Sequence, residues 1–419
     1  MTLISVTARR RRSHVRIDLK RIVIAALVAV AALSLAWAAI QALGPDGSRD
    51  NQWSGAHVLA MGLDPSRVFA ACLANACTPD PFILSQYPNY PISTLALMAP
   101  YGALPWPVAK IVWLGVNLLS IAVLLGSARK IWAPRLGPIT LTLAFLTFLI
   151  ATPLRNQIEN GQLGLFALAM FALAYRCARH DQRTLGGLFL ALAWTKFTLT
   201  LPLSLVFVAR RDWKIVIVAV ACHALLTIGA AAWTGTDLLD STFGFLAVAK
   251  SAVNTQYGYL DVFGIASRID APGIAAAGLA MLLTVAGIRA GLRGGKDEIL
   301  LMAVMSLLSM AVFYHLSYDA VMFFPPFLYA IQLIRERHGY AFALPVLALV
   351  AMAWFGNRLI AGNEYGYWYG SPFQHAFSWL MAATFYGAIA IGLYRLWKTR
   401  ANAMWRESFL VNPVLRETR

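Results

Sequence analysis

Apolar runs near the length of a lipid bilayer recur along this chain, and short clusters of Lys and Arg punctuate them. A helix needs ~20 apolar residues to cross a ~30 Å hydrocarbon core, and IVIAALVAVAALSLAWAAIQAL, which follows Arg21, meets that length. Lipid offers backbone N–H and C=O groups no water to bond, so such runs must close their hydrogen bonds within themselves, as helices. The expected fold class is therefore an all-α polytopic membrane protein. Hydrophobic residues are 59% and charged residues 13% of the 419 positions, which excludes an ordinary water-soluble domain. A net charge of +16 would suit nucleic acid, but the basic residues sit beside the apolar runs in the positive-inside pattern. The charge is read as topology with some attraction to anionic lipid headgroups, and no nucleic-acid partner is expected.

That pattern orders the chain. Residues 1–21 form a basic cytoplasmic end. RRRRSHVRIDLKR resembles the start of a signal peptide, but the apolar run after it is long and lacks a clear small-residue cleavage site, so it reads as a retained first span. A single transmembrane domain covers 22–397, with a long first outer loop at 44–88 and a cytoplasmic tail at 398–419. Spans are expected near 22–43, 108–125, 139–152, 165–177, 215–233, 273–288, 298–314, 320–334, 341–360 and 375–397, about ten in all, with both termini cytoplasmic. In the first loop, SRDNQWSGAHVLAMGLDP has the form of a short outer-face amphipathic helix, with a capping Ser48 or Asp50, apolar Trp53, Ala56 and Leu59, and a stop at Gly62. Five prolines in YPNYPISTLALMAPYGALPWP break the next stretch into pieces that dip into the membrane without crossing. Residues 184–209 are flanked by basic residues on both sides and interrupted by Lys196 and Pro202, so a re-entrant hairpin is expected, with a single full span as the alternative. Cys72 and Cys77 fall in the outer loop, where a local disulfide is one of two open readings; Cys177 and Cys222 read as packing residues.

The unusual polar residues gather on the expected outer side: Asp50, Asp64, Arg155, Glu159, Asp237, Asp240, Asp261, Arg268, His315, Asp319, Arg358 and Glu364. Transfer of a sugar from a lipid phosphate needs a carboxylate or His to take the acceptor proton, and cations or donors to stabilise the departing phosphate. Both kinds of group are present. Arg155 offers a planar fork for phosphate; Glu159 and Gln162 in ENGQ can orient sugar hydroxyls, although Asn160 and Gly161 equally describe a turn. Lys196 at membrane depth costs ~2.5–3.5 kcal/mol to insert and so faces a cavity or a phosphate. His315 and Asp319 stand four apart and either satisfy each other or serve the site. Tyr259 is a candidate for stacking on a sugar, with an interfacial aromatic belt as the alternative for it and for Tyr257, Tyr365, Trp368 and Tyr369. No HExxH, DxD or His/Cys cluster demands a metal, and no Rossmann-like glycine motif or soluble domain provides a nucleotide-sugar site; no cofactor is expected.

DNQWSGAHVLAMGLDP, YPNYPISTLALMAPYGALP, ENGQLGLFALAMFALAY, GGLFLALAWTKFTLTLPLSLVFVARRDWK and YHLSYDAVMFFPPFL stand in an order and spacing that resembles glycosyltransferase family 87, membrane enzymes of the GT-C fold. The resemblance implies an inverting, metal-independent transfer from a polyprenyl-phosphate sugar to a lipid or glycan hydroxyl on the outer face of the inner membrane, in glycolipid and cell-envelope synthesis. Mannose is the donor best associated with the family. An acidic residue in the first outer loop is implied as the base, and that position is Asp50; a His at the outer end of a later helix corresponds to His315. Here Asp319 follows four residues later instead of immediately beside the His. The competing readings are a flippase for lipid-linked saccharides, which would prefer duplicated halves that this chain lacks, and a non-catalytic envelope scaffold.

Overall fold

The computed structural model describes residues 3–48, 51–74, 83–252, 260–294, 297–361 and 372–411, and among these the chain is helical with no strand. Helix α1 (Leu3–Leu43) carries the first apolar run; α2 (Trp53–Ala60), α3 (Pro65–Leu73) and α4 (Ile92–Gly102) belong to the connection after it. Next come α5 (Trp106–Ile131), the pair α6 (Pro138–Leu149) and α7 (Thr152–Glu159), and α8 (Gly164–Arg179). A broken segment follows: α9 (Arg183–Ala193), α10 (Phe197–Thr200) and α11 (Leu205–Ala209), joined by 3-10 turns at Trp194–Lys196 and Pro202–Ser204. The chain continues through α12 (Trp213–Thr234), α13 (Leu238–Ala252), α14 (Val262–Arg268), α15 (Gly273–Gly294) and α16 (Glu298–Val312). A 3-10 segment, Ser317–Phe323, leads into α17 (Phe324–Arg335); α18 (Tyr340–Ala351) runs on into a π-helical stretch, Met352–Ala361, and α19 (Pro372–Val411) ends the described chain.

Among the described residues, five helices are long and apolar enough to cross a membrane: Arg21–Leu43 of α1, then α5, α12, α15 and α19 up to Lys398. The count reaches seven if α6–α7 and α9–α11 are each one bent span. The expectation of about ten spans is finer than these lengths carry, because α16 and α18 are apolar but shorter. The peripheral helices turn apolar side chains outward, Leu33 and Ile40 on α1, Ile217 and Leu225 on α12, Ile274 and Leu282 on α15. By contrast, α16 is buried on every side from Leu300 to Val312, the mark of a central helix. α9 lies close against α12: a Cβ on Gly187 would sit 2.5 Å from Val218 Cβ, so only glycine allows that approach.

The two arms of the broken segment, Arg183–Thr200 and Pro202–Ala209, meet at 118°. Arg183 Nε lies 3.6 Å from Asp212 Oδ1, so the beginning and end of the segment return to one level. There Arg210 bridges Asp212 (2.7 Å) and Glu298 (2.8 Å), and the Tyr175 hydroxyl donates to Glu298. This basic end of the bundle is where α16 starts.

Three local expectations are corrected. The stretch 153–159, which lies between the expected spans 139–152 and 165–177, is helical as part of α7; Pro153 sits in its first turn, where a missing N–H costs nothing, and the pair bends by 51°. Helix α2 begins at Trp53 after Gln52 with no side-chain cap, and Ser48 Oγ donates instead to the Ala42 carbonyl, 3.2 Å away. Asp50 lies outside the described residues. Rather than lying on a surface, α2 is buried: Trp53, Ala56 and Leu59 are covered, and Trp53 Nε1 donates to the Leu104 carbonyl at 2.9 Å. Gly62 does end the helix, at φ +81°. Cys72 is disulfide-bonded and Cys177 and Cys222 are free; Cys77 lies outside the described residues.

A candidate active site at the end of the central helix

Two routes leave the basic end and arrive at the same depth. From Glu298, the 15 residues of α16 rise ~22 Å; from Arg183, the 14 residues to Lys196 rise ~20 Å. Beyond Val312 the backbone becomes extended at Phe313, then tightens into the 3-10 segment that carries Asp319. Lys196 stands where α9 breaks into its 3-10 turn. The broken segment and the end of α16 thus deliver opposite charges to one place.

Lys196 Nζ lies 2.6 Å from Asp319 Oδ1 and donates to Gln162 Oε1 at 2.9 Å, with both charged side chains about 95% buried. The Tyr318 ring faces the ammonium, 5.2 Å from its centroid. Gln157 Nε2 donates to the same Asp319 oxygen and to the Tyr318 carbonyl, each at 3.1 Å. His315 Nδ1 meets Asp319 Oδ2 at 3.0 Å, and His315 Nε2 meets the Ser309 carbonyl at 3.0 Å. Both ring nitrogens therefore face acceptors, and every contact is satisfied only when both carry protons. Lys196, Asp319 and His315 thus form one buried, hydrogen-bonded triad. Asp261 is also fully buried; its Oδ1 caps α14 by accepting from Gly264 N at 2.9 Å, and its Oδ2 has no partner among the described residues.

The α7–α8 connection joins this cluster to the first loop. Gly161, at φ +66°, makes the turn, and a Cβ there would lie 3.1 Å from Ser48 Cβ and 3.2 Å from Asn51 Cβ. Ser48 N donates to the Glu159 carbonyl at 2.8 Å, and Asn51 Nδ2 donates to the Tyr101 hydroxyl at 2.7 Å. At the other side of the loop, Lys110 of α5 donates to the carbonyls of Leu43 (3.0 Å) and Gly44 (2.8 Å), capping the end of α1. The two residues that flank positions 49 and 50 are thus held one residue away from Gln162.

The family model of Glycosyltransferase family 87 matches residues 88–317, more than half of the chain and the whole stretch from α4 through His315. The chain belongs to glycosyltransferase family 87. Among curated proteins it is similar to an alpha-(1->3)-arabinofuranosyltransferase of Corynebacterium glutamicum, 27% identical over 191 residues, which is 43% of this chain and 44% of that protein. The chain thus spans less than half of the length of this relative. No solved structure matches it.

For a family 87 glycosyltransferase, the residues read from sequence divide clearly. Gln162, Lys196, His315 and Asp319, from three separate stretches, form one buried network. Arg155 and Glu159 sit nearby on α7 but turn to each other, Nε to Oε1 at 2.9 Å, so the Glu159 carboxylate is engaged by an arginine. Asp50 and Tyr259, with Tyr257, Glu364, Tyr365, Trp368 and Tyr369, lie outside the described residues. Sequence reading placed Asp261 among the outer polar residues but missed Gln157, Ser309, Tyr318 and Lys110 as supporting groups. Gln157 had a usable signal, since it lies five residues before Gln162 in a polar stretch between apolar helices; Ser309, acting through its carbonyl, had none. Among the described residues, no group of three or more His, Cys, Asp or Glu is arranged to hold a metal.

Proposed function

We propose that this membrane glycosyltransferase moves one sugar from a polyprenyl-phosphate carrier to a lipid or glycan hydroxyl, with inversion, on the extracytoplasmic face of the membrane, and that both termini are cytoplasmic. The observation that carries the reading is the attachment of Ser48 and Asn51 to the turn whose Gln162 holds Lys196, which ties the loop bearing Asp50 to the buried triad. Asp50 is the base that takes the proton from the acceptor hydroxyl as that oxygen attacks the anomeric carbon. The bond from that carbon to the phosphate oxygen breaks, and the electron pair leaves with the lipid phosphate.

His315 serves this reaction through Asp319. Its two nitrogens meet Asp319 and the Ser309 carbonyl, so it holds Asp319 in place beside the departing phosphate. Lys196, held by Asp319 and Gln162, is the cation that supports the departing phosphate. Arg155 meets the phosphate from the α7 side. The sugar is a hexose such as mannose or a pentose; the similarity to an arabinofuranosyltransferase supports including a pentofuranose among the donors.

The test uses membranes containing the wild-type chain or Asp50→Asn at equal abundance, supplied with polyprenyl-phosphate mannose, glucose and arabinofuranose and with extracted envelope lipids. Release of free polyprenyl phosphate by the wild type and at least 100-fold less by the variant is the expected result. Equal release by both would remove Asp50 from the mechanism, and no release with any donor would overturn the transferase reading.

A further inference from the structure

His223 lies on α12 at ~15 Å of rise from Trp213, near the middle of a ~30 Å hydrocarbon core. An ionisable group at that depth is costly and turns to the protein interior. While α12 points Ile217 and Leu225 outward, His223 reaches two other helices. Its Nε2 lies 3.0 Å from the Ala191 carbonyl of α9, and its Nδ1 lies 2.8 Å from Ser93 Oγ of α4. A carbonyl only accepts, so Nε2 carries the hydrogen, and Nδ1 of the neutral ring accepts from the Ser93 hydroxyl.

Ala191 stands in the last turn of α9, where carbonyls lose their regular helical partners. The break that follows is stitched by side chains: Thr195 Oγ1 donates to the Leu192 carbonyl and Thr200 Oγ1 to that of Ala193, each at 2.8 Å, and Trp194 Nε1 donates to Ser204 Oγ at 2.9 Å. Those bonds are internal to the broken segment. The bond from His223 comes from another helix, and the His223 ring also lies 5.9 Å from that of Trp194, two residues before Lys196. At the Ser93 end, α4 lies directly on α2: a Cβ on Gly102 would be 2.4 Å from the Ala56 carbonyl carbon, and Leu59 packs with Ile92 and Leu95. Because α2 follows Asn51, the path Ala191–His223–Ser93 joins the break that carries Lys196 to the helices behind the first loop.

We propose that His223 is a positioning residue for Lys196, tying the last turn of α9 to α4 so that the ammonium and the first loop keep one spacing. The assignment rests on the role of Lys196 proposed above, support of the departing phosphate. Asp319 fixes the tip of Lys196, 2.6 Å from Nζ, but a flexible four-carbon stem has a defined place only if its backbone does. That backbone is a short 3-10 turn, whose hydrogen bonding is poorer than that of an α-helix. Loss of His223 leaves Lys196 paired but displaced, which slows the step in which charge develops on the phosphate more than it weakens binding of the donor.

The experiment compares the full chain in phosphatidylcholine nanodiscs as wild type, His223→Phe, His223→Gln and Ser93→Ala, with polyprenyl-phosphate mannose, glucose and arabinofuranose as donors. Phe keeps a ring beside Trp194 but loses both bonds; Gln keeps one donor and one acceptor at the spacing of the ring nitrogens. The expected result for His223→Phe is turnover lower by about 10-fold or more with donor affinity within about 3-fold of wild type. His223→Gln is expected to recover most of that loss, and Ser93→Ala combined with His223→Phe to be no slower than His223→Phe alone. A second readout needs no turnover: residues that share no contacts add their stability losses, whereas the drop in unfolding temperature caused by His223→Phe is expected to be at least halved in a Lys196→Met/Asp319→Leu background, where no ammonium remains to be held. Wild-type turnover in His223→Phe, a Gln variant as slow as the Phe variant, or an undiminished drop in that background would overturn the assignment. If the stability coupling is present but the wild type turns over no donor, the transferase reading falls while the tie between His223 and Lys196 stands; if donors are turned over and the coupling is absent, the reverse holds.

Discussion

Lys196 and Asp319, 123 positions apart in sequence, form an ion pair of 2.6 Å that is almost closed to solvent. Removing one member of a buried pair leaves an uncompensated charge and costs ~3–5 kcal/mol, whereas removing both at similar volume is far less costly. Lys196→Met and Asp319→Leu are each expected to lower the unfolding temperature in detergent sharply, and the double variant to recover most of that loss while remaining inactive. Additive losses in the double variant would show that the two side chains act separately.

His315→Gln tests the bridge between Asp319 and the Ser309 carbonyl. The amide can still donate toward Asp319 but does not bridge it to the Ser309 carbonyl as the imidazole ring does, so Asp319 is held less firmly. Transfer is expected to fall by about 100-fold, within the range seen when one stabilising group is removed from a reaction site. Donor affinity is expected to change by less than 3-fold, because Arg155 is untouched. Single-turnover rates at saturating donor, set beside the binding measurement, give the two numbers.

Gly161→Ala tests the attachment of the first loop. The position has φ +66°, where a Cβ costs ~1 kcal/mol or more, and the new methyl meets both Ser48 and Asn51. The expected outcome is an enzyme that folds with a small loss of stability but whose turnover drops at least 10-fold at unchanged donor affinity. Unchanged turnover would show that the contact between this turn and the loop is dispensable.

Lys110→Met removes the cap on the last turn of α1. Hydrogen bonds to a charged group contribute ~1.5–3 kcal/mol each, and here the carbonyls of Leu43 and Gly44 lose theirs. A lower unfolding temperature with slower turnover is expected, with partial recovery in Lys110→Arg. Both are read from a thermal scan and a transfer assay on the same preparation.

The hydrophobic pattern contains the helices in plain form because lipid leaves the backbone no alternative. The expected span at 215–233 is α12, that at 298–314 is α16, and that at 375–397 lies within α19. Lys196 and Pro202 likewise marked the break in the 184–209 segment, because a charge and a missing N–H are both local faults in an apolar helix. Number of crossings was less legible: α16 is shorter than a bilayer-spanning helix yet central, and hydropathy does not distinguish burial in protein from burial in lipid.

The sequence by itself determined the class of molecule, the helices, and the chemical character of His315, Asp319, Lys196 and Gln162, since each is an ionisable or strongly polar residue where an apolar environment makes it costly. Only the tertiary structure decided which of them meet. Equal rises along α9 and α16 from one cluster of charges bring Lys196 to Asp319, and the bend at Pro153 aims Gln157 at the triad while Arg155 turns to Glu159. Those pairings depend on distances summed over separate helices, and hydrophobic periodicity, which is local, does not encode them.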